Sequence, residues 1–142
     1  MPVVLDTDHV TILHRQIQPA YDRLSARLER IAPDDLSTTI VTFQEQTQGW
    51  LAYINRARTP EQIVHAYAEL ETMQRSFCKM NILSFTEESQ HQFAALRKQR
   101  VRIPTMDLRI ASIALATEST LLSRTLGHFR NVPALVVEDW TR

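Results

Sequence analysis

Short β-branched or apolar runs alternate with longer segments of helical periodicity along this chain. The predicted strands are Val3–Leu5, Ser37–Val41, Asn81–Phe85, Thr120–Ser123 and Ala134–Val137. Between them, apolar residues recur every three or four positions, which is the spacing of one helix face. Strands that alternate with helices form parallel βαβ units. We therefore predict an α/β fold of three layers, with an open, mostly parallel β-sheet flanked by helices on both faces.

Length and composition restrict the class of protein further. The chain has 142 residues, of which 44% are hydrophobic and 23% charged, as expected for one globular domain over residues 1–142. Only two glycines occur, so tight glycine hairpins are scarce and an all-β fold is disfavoured. The single cysteine excludes an intramolecular disulfide.

Charge and hydropathy indicate where such a protein works. No apolar run approaches the roughly 20 residues that a membrane-spanning helix needs, so we expect a cytoplasmic protein without membrane contact. The formal net charge is zero, with 16 basic and 16 acidic residues. This balance argues against a protein that coats nucleic acid by charge alone, yet it leaves room for a local basic patch beside an acidic centre.

Acidic and hydroxyl side chains follow the predicted strand ends. Asp6, Thr7 and Asp8 come directly after the first strand, and Ser123 lies at the end of the fourth. Ligands of open α/β sheets bind at the carboxyl ends of the strands. Two further acids, Glu45 and Asp107, lie near the beginnings of predicted helices that reach the same edge. The sequence thus predicts that Asp6, Glu45 and Asp107 converge.

Converging carboxylates imply a particular chemistry. Carboxylates held close together repel one another, which raises their pKa values unless a cation neutralises them. Oxygen ligands of this kind suit Mg²⁺ or Mn²⁺, which also accept phosphate oxygens. The reaction that such a site favours is hydrolysis of a phosphodiester bond.

Each acid also has a local structural interpretation. Asp8 fits the N-cap of the helix after the first strand. Thr42 and Glu45 fit a capping box, in which the Glu45 side chain bonds only its own helix. Asp107 lies in a first helical turn, where a carboxylate complements the helix dipole. Asp6, directly after a buried strand, is the acid that capping explains least well.

Three segments resemble the acidic motifs of a known family. They read Val3-Val4-Leu5-Asp6-Thr7-Asp8, Thr39-Ile40-Val41-Thr42-Phe43-Gln44-Glu45 and Met106-Asp107-Leu108-Arg109-Ile110-Ala111. In order and separation they resemble the motifs of PIN domains, in particular of VapC-type toxins, and the resemblance runs from Val3 to Trp140. It implies that Asp6, Glu45 and Asp107 are catalytic and bind Mg²⁺ or Mn²⁺. It also implies endonucleolytic cleavage of RNA, homodimerisation and inhibition by a cognate antitoxin.

One segment departs from the family pattern. Between Leu121 and Phe129 many relatives carry a further Asn or acidic residue, whereas this chain has Thr125 and His128 at those places. The fourth metal-binding acid is therefore missing or replaced, and neutral imidazole is a poor Mg²⁺ ligand. This departure places a second metal in question, and Asp8 is a candidate to compensate by holding a metal-bound water.

Several other side chains are candidates for substrate contact. The predicted substrate-binding residues are Arg124, Ser123, Thr7, Asp8 and His128. A basic run before Asp107 fits either a phosphate-binding flank or a solvated helix end: Arg97, Lys98, Arg100 and Arg102. Trp50 and Tyr53 have the character of partner-contacting aromatics, although for Trp50 a place in the core is the favoured interpretation.

Two alternative functions remain at the level of sequence. The first motif also resembles that of haloacid-dehalogenase-like phosphatases, but that reaction needs a Gly-Asp motif, which this chain lacks. The second alternative is a degenerate PIN domain that binds RNA or protein without cleaving it. It is supported by the missing fourth acid, whereas the three acids in register favour the nuclease.

Overall fold

Five short parallel strands form a single sheet at the centre of the molecule. The computed structural model describes all 142 residues. Its strands are β1 (Val3–Leu5), β2 (Leu36–Thr39), β3 (Asn81–Leu83), β4 (Thr120–Leu122) and β5 (Val137–Glu138). Their order across the sheet is β3-β2-β1-β4-β5, and every neighbouring pair is parallel. The predicted α/β class with a parallel sheet is confirmed.

Seven α-helices connect and cover these strands. They are α1 (Thr7–Arg15), α2 (Ala20–Leu28), α3 (Ile40–Arg56), α4 (Pro60–Cys78), α5 (Glu87–Lys98), α6 (Thr105–Ala116) and α7 (Leu126–Phe129), with a 3₁₀ turn at Pro33–Asp35. The predicted capping box at the start of α4 is confirmed, since the Thr59 hydroxyl accepts the Gln62 N–H and the Gln62 side chain accepts the Thr59 N–H. None of the helices is long and apolar enough to cross a membrane.

The central strand β1 separates two hydrophobic cores. The side chain of Val4 packs into one core with residues of α5 and α6, whereas Val3 and Leu5 pack into the other with residues of α1, α2 and α4. Successive residues of a strand point to opposite faces of the sheet, so a strand covered on both faces has only apolar residues. The three layers that the sequence predicts follow from this burial.

Four predicted strands differ from the observed ones at their ends: the third ends at Leu83 rather than Phe85 and the fourth at Leu122 rather than Ser123. For the second and the last strand the backbone conformation gives the reason. The second strand ends at Thr39 rather than Val41, since the Thr39 hydroxyl accepts the backbone N–H of Thr42 and starts α3 there. The last strand begins at Val137 rather than Ala134, because Ala134 has a left-handed backbone with φ of 66°. β-branched content predicted a longer second strand, and local capping overrode it.

Candidate active site

Asp6 lies at the junction between β1 and α1 and is buried, with 5% of its surface exposed. One carboxylate oxygen accepts the backbone N–H of Thr7 at 2.7 Å, and the other accepts the hydroxyl of Ser123 at 2.7 Å. Asp6 is therefore the N-cap of α1, a role that the sequence assigned to Asp8. Capping uses only one of the two Asp6 oxygens. It therefore does not account for the hydrogen bond between the other oxygen and Ser123, which follows β4.

Glu45 points away from its own helix end and toward α1. Because Thr39 is the N-cap of α3, the capping box predicted between Thr42 and Glu45 is absent. Instead the Thr7 hydroxyl donates to the Glu45 carboxylate at 3.2 Å. Thr7 thus joins the acid of α3 to the residue that follows Asp6, and the local structural interpretation of Glu45 is wrong.

Asp8 is bonded to the segment that follows β4. One of its oxygens accepts the backbone N–H of Arg124 at 2.9 Å and lies 3.3 Å from the Ser123 hydroxyl and 3.4 Å from that of Thr125. The interpretation of Asp8 as an N-cap is therefore wrong. Arg124 contributes its backbone to this network while its side chain remains exposed.

Asp107 lies in the first turn of α6, as predicted, and bonds His128 of α7. The distance between the Asp107 carboxylate and His128 Nδ1 is 2.8 Å. The His128 side chain is 46% exposed, and that of Asp107 is 19% exposed. His128 is thus held by one of the acids that the sequence predicts to bind the metal.

The four carboxylates share one electrostatic environment. The pKa of Asp6 is raised from 3.8 to about 7, chiefly by burial and then by the charge of Asp8, with a smaller rise from Asp107; the bonds from Ser123 and Thr7 lower it. Burial also raises the pKa of Glu45, the bond from Thr7 lowers it, and the charges of Asp107 and Asp8 raise it. Without a cation these acids repel one another.

The donor set of this crevice suits a hard divalent cation. No three Asp, Glu, His or Cys side chains are placed so that they hold an ion together as they stand. Mg²⁺, however, keeps several of its waters and takes only one or two protein carboxylates in many sites. Carboxylate and hydroxyl oxygens in a crevice whose charge is uncompensated therefore fit Mg²⁺ or Mn²⁺ with part of their water shell.

His9 belongs to this network and was missed by sequence reasoning. Its side chain is fully buried, Nδ1 lies 2.7 Å from the Asp8 carboxylate, and Nε2 accepts the backbone N–H of Trp140 at 3.2 Å. Because Nε2 accepts, Nδ1 is the nitrogen that donates to Asp8. The only signal in the sequence is a polar residue on the apolar face of α1, between Asp8 and Val10.

Three arginines of the predicted basic run line a groove that none of the candidate acids lines. They are Arg97, Arg100 and Arg102, and the groove, near the start of α6, has a volume of about 400 Å³. A larger groove of about 600 Å³, beside Phe85 and Arg109, also contains none of the candidate acids. The assignment of the basic run to RNA binding stays a prediction.

Comparison with solved structures identifies the fold. No family model matches the sequence, and no curated protein matches it. VapBC-1 from nontypeable Haemophilus influenzae superposes with a TM-score of 0.75 and 22% identity, covering 100% of both chains. The chain has the PIN-like fold. VapBC2 from Rickettsia felis, bound to a DNA fragment from its promoter, gives a TM-score of 0.72 and 19% identity over 99% of each chain.

A third similar structure is named as a toxin–antitoxin protein. It is VapBC-5 from Mycobacterium tuberculosis, a member of the VapBC family of toxin-antitoxin systems, with a TM-score of 0.57 and 22% identity over 98% of each chain. At these identities the likeness establishes the PIN-like fold. The order β3-β2-β1-β4-β5 puts the ends of β1 and β4, and hence Asp6 and Ser123, at the crevice where such sheets bind ligands.

Proposed function

We propose that this chain is a metal-dependent endoribonuclease and the toxin of a toxin–antitoxin pair of the VapBC type. The observation that supports the proposal best is the electrostatic repulsion among four carboxylates, Asp6, Asp8, Glu45 and Asp107, near the carboxyl ends of the strands of a PIN-like sheet. The cost of holding uncompensated carboxylates together is hard to explain by folding alone. A cation that also binds a phosphodiester accounts for it.

In the proposed reaction Asp6, Glu45 and Asp107 would hold Mg²⁺ or Mn²⁺, in part through the waters that the ion keeps. When bound, the metal lowers the pKa of a water and stabilises charge on the phosphate. Ser123 and Thr7 fix the rotamers of Asp6 and Glu45 through their hydroxyls. Asp8 holds the backbone of Arg124, so that the exposed guanidinium extends from a fixed point beside the crevice toward an RNA phosphate.

The proposal extends to partners and location. The toxin–antitoxin proteins that share this fold support a small antitoxin as the protein partner. A homodimer and a cytoplasmic location complete the proposal, as the resemblance to VapC-type toxins implies. Co-expression with the product of an adjacent reading frame, followed by measurement of the mass of the purified complex, tests the partner and the stoichiometry together.

Metal dependence is the first test of the proposed reaction. Purified protein is expected to cleave a pool of tRNA, rRNA and mRNA in Mg²⁺ or Mn²⁺ and to be inactive in EDTA. Asp107→Asn is expected to slow cleavage about a hundredfold or more, because it removes one anionic metal ligand, although it leaves a group that bonds His128. The matched control is Asp34→Asn, the same change at an exposed acid of the 3₁₀ turn.

A binding module without nuclease activity is the second candidate function. Its specific support is the hydrogen bond between His128 and Asp107. This bond engages a carboxylate oxygen of one of the three predicted metal ligands. Well-folded protein that binds RNA or an antitoxin equally with and without metal, and cleaves nothing, would establish this candidate and refute the nuclease. Equal cleavage by wild type and Asp107→Asn would refute the assigned role of Asp107.

His128→Asp tests the consequence of the missing acid. This change places a further carboxylate where His128 now bonds Asp107, so we expect the Mg²⁺ concentration for half-maximal cleavage to fall roughly tenfold. His128→Asn, which has the shape of the Asp variant but adds no negative charge, is the control. A Mg²⁺ requirement that is unchanged in His128→Asp, or that falls equally in His128→Asn, would contradict the argument.

A further inference from the structure

A groove between α1 and α3 begins at the acidic crevice and leads away from it. It has a volume of about 410 Å³, and two of its lining residues, Thr7 and Glu45, belong to the crevice itself. The Gln46 side chain donates to the Thr11 hydroxyl at 2.8 Å, which ties the two helices together beneath it. A ligand bound at the acids therefore has a continuous path into this groove.

Aromatic rings form one wall of the groove at its far end. Trp50 and Tyr53 both line it, with their ring centroids 5.7 Å apart. Trp50 is half-buried and packs against the core below the sheet. The favoured interpretation of Trp50 as a core residue thus holds for only part of its ring. Because the core fixes the indole, the part that lines the groove is a rigid flat surface.

Two arginines border these rings, and the guanidinium of Arg15 lies over the face of Trp50. The Arg15 guanidinium is 5.3 Å from the centre of the Trp50 ring, and Arg56 lines the same groove. Arg15 has a long contact of 3.9 Å with Glu69, and Arg56 has no ion pair. Both side chains are exposed. The groove therefore has the Glu45 carboxylate at one end and accessible cations at the other.

We propose that this groove binds the nucleotide next to the cleaved phosphodiester, with its phosphate on Arg15 and Arg56 and its base on the Trp50 face that the Arg15 guanidinium covers in the free protein. This inference rests on the proposed ribonuclease function and names a substrate subsite for it. Aromatic rings interleaved with arginines are the features by which proteins bind single strands. A base reaches the indole only when it is unstacked from its neighbours, so the substrate is single-stranded RNA.

Tryptophan fluorescence measures this binding directly and without cleavage. In EDTA, a short oligouridylate is expected to quench the wild-type emission, and Trp50→Phe is expected to abolish the quenching. The only other tryptophan, Trp140, is buried and serves as an internal background. Double-stranded RNA of the same length is expected to quench weakly. Quenching that persists in Trp50→Phe, or that duplex RNA matches, would overturn the proposal.

Affinity and salt dependence separate the stacking contact from the phosphate contacts. Trp50→Leu is expected to weaken oligouridylate binding about tenfold. Arg15→Gln and Arg56→Gln are each expected to weaken it several-fold and to reduce the slope of log K against log salt by about 0.7. The matched controls are Arg58→Gln and Tyr67→Leu, at exposed residues outside the groove, which are expected to bind as wild type.

Cleavage kinetics distinguish failure of this inference from failure of the ribonuclease proposal. In Mg²⁺ the Arg15 and Trp50 variants are expected to raise KM for single-stranded RNA about tenfold with little change in kcat. Normal cleavage with unchanged KM in these variants would overturn the subsite and leave the ribonuclease intact. If the variants keep RNA affinity but escape inhibition by an antitoxin, the groove binds protein and the proposal is wrong. Quenching at Trp50 without any cleavage would support the nucleotide subsite and refute the nuclease.

Discussion

Asp6→Asn is expected to be inactive in RNA cleavage and yet more stable than wild type in EDTA. Loss of an acid that only positions another ligand costs about 10- to 100-fold in many metal sites, and Asp6 is proposed to touch the metal itself. We therefore expect cleavage to fall more than about a hundredfold. Stability should move in the opposite direction, because the change removes a buried charge that neighbouring carboxylates repel.

The pH dependence of this effect follows from the raised pKa of Asp6. The carboxyl titrates at 3.8 in the unfolded chain and at about 7 in the folded one. Between pH 3.8 and about pH 7 the Asp6 carboxyl is protonated in the folded state and ionised in the unfolded state. The free energy of unfolding therefore falls as pH rises through this range. One pKa unit corresponds to about 1.36 kcal/mol, which gives a cost of roughly 4 kcal/mol above pH 7. The Asn side chain has one acceptor oxygen, whereas both oxygens of the Asp6 carboxylate accept a hydrogen bond. The lost hydrogen bond lowers the stability gained in Asp6→Asn by about 1 kcal/mol.

Denaturant unfolding in EDTA at a series of pH values measures this effect. Near pH 8, Asp6→Asn is expected to be more stable than wild type by about 1 to 3 kcal/mol, and below pH 4 the advantage should vanish. Mg²⁺ should stabilise wild type and not the variant, because ligands stabilise the state that binds them. Asp34→Asn is the control in both assays. A variant that is less stable than wild type at pH 8, or that cleaves RNA normally, would contradict the assignment.

The sequence predicted the layers of this fold well because they depend on periodicity. A strand of three apolar residues, Val3 to Leu5, is buried on both faces, and the apolar run of α6 covers it as expected. Element ends were predicted less well, because they depend on single hydrogen bonds. At Thr39 one hydroxyl ends the strand and starts the helix, whereas propensity favours a strand through Val41.

The sequence predicted that these acids lie near one another and that Ser123 and Thr7 lie beside them, but it did not predict the part played by His9. Position after a strand end was enough to select Asp6, whereas Glu45 and Asp107 were selected chiefly by the resemblance to the acidic motifs of PIN domains. Which group bonds each acid is a long-range property: Ser123 meets Asp6 across 117 positions of the chain. Trp140 meets His9 across 131 positions. No local pattern encodes such pairs, so the roles of His9 and Trp140 required the structure.

Replacing His9 is expected to destabilise the protein and to disturb the crevice from the inside. His9→Ala leaves a cavity and deprives both the Asp8 carboxylate and the Trp140 N–H of a partner. Cavity formation and unpaired buried groups together cost about 3 kcal/mol or more. We therefore expect the melting temperature to fall by roughly 10 °C. Thermal unfolding in EDTA measures this loss independently of metal binding.

Two conservative replacements of His9 separate its two bonds. An Asn amide resembles Nδ1 and retains a donor for Asp8, whereas a Gln amide resembles Nε2 and retains an acceptor for the Trp140 N–H. His9→Asn is therefore expected to preserve cleavage better than stability, and His9→Gln to preserve stability better than cleavage. Such opposite losses would identify His9 as the residue that positions Asp8 from the C-terminal segment. Equal losses in both variants, or a His9→Ala protein as stable as wild type, would show that this imidazole only fills space beneath the acids.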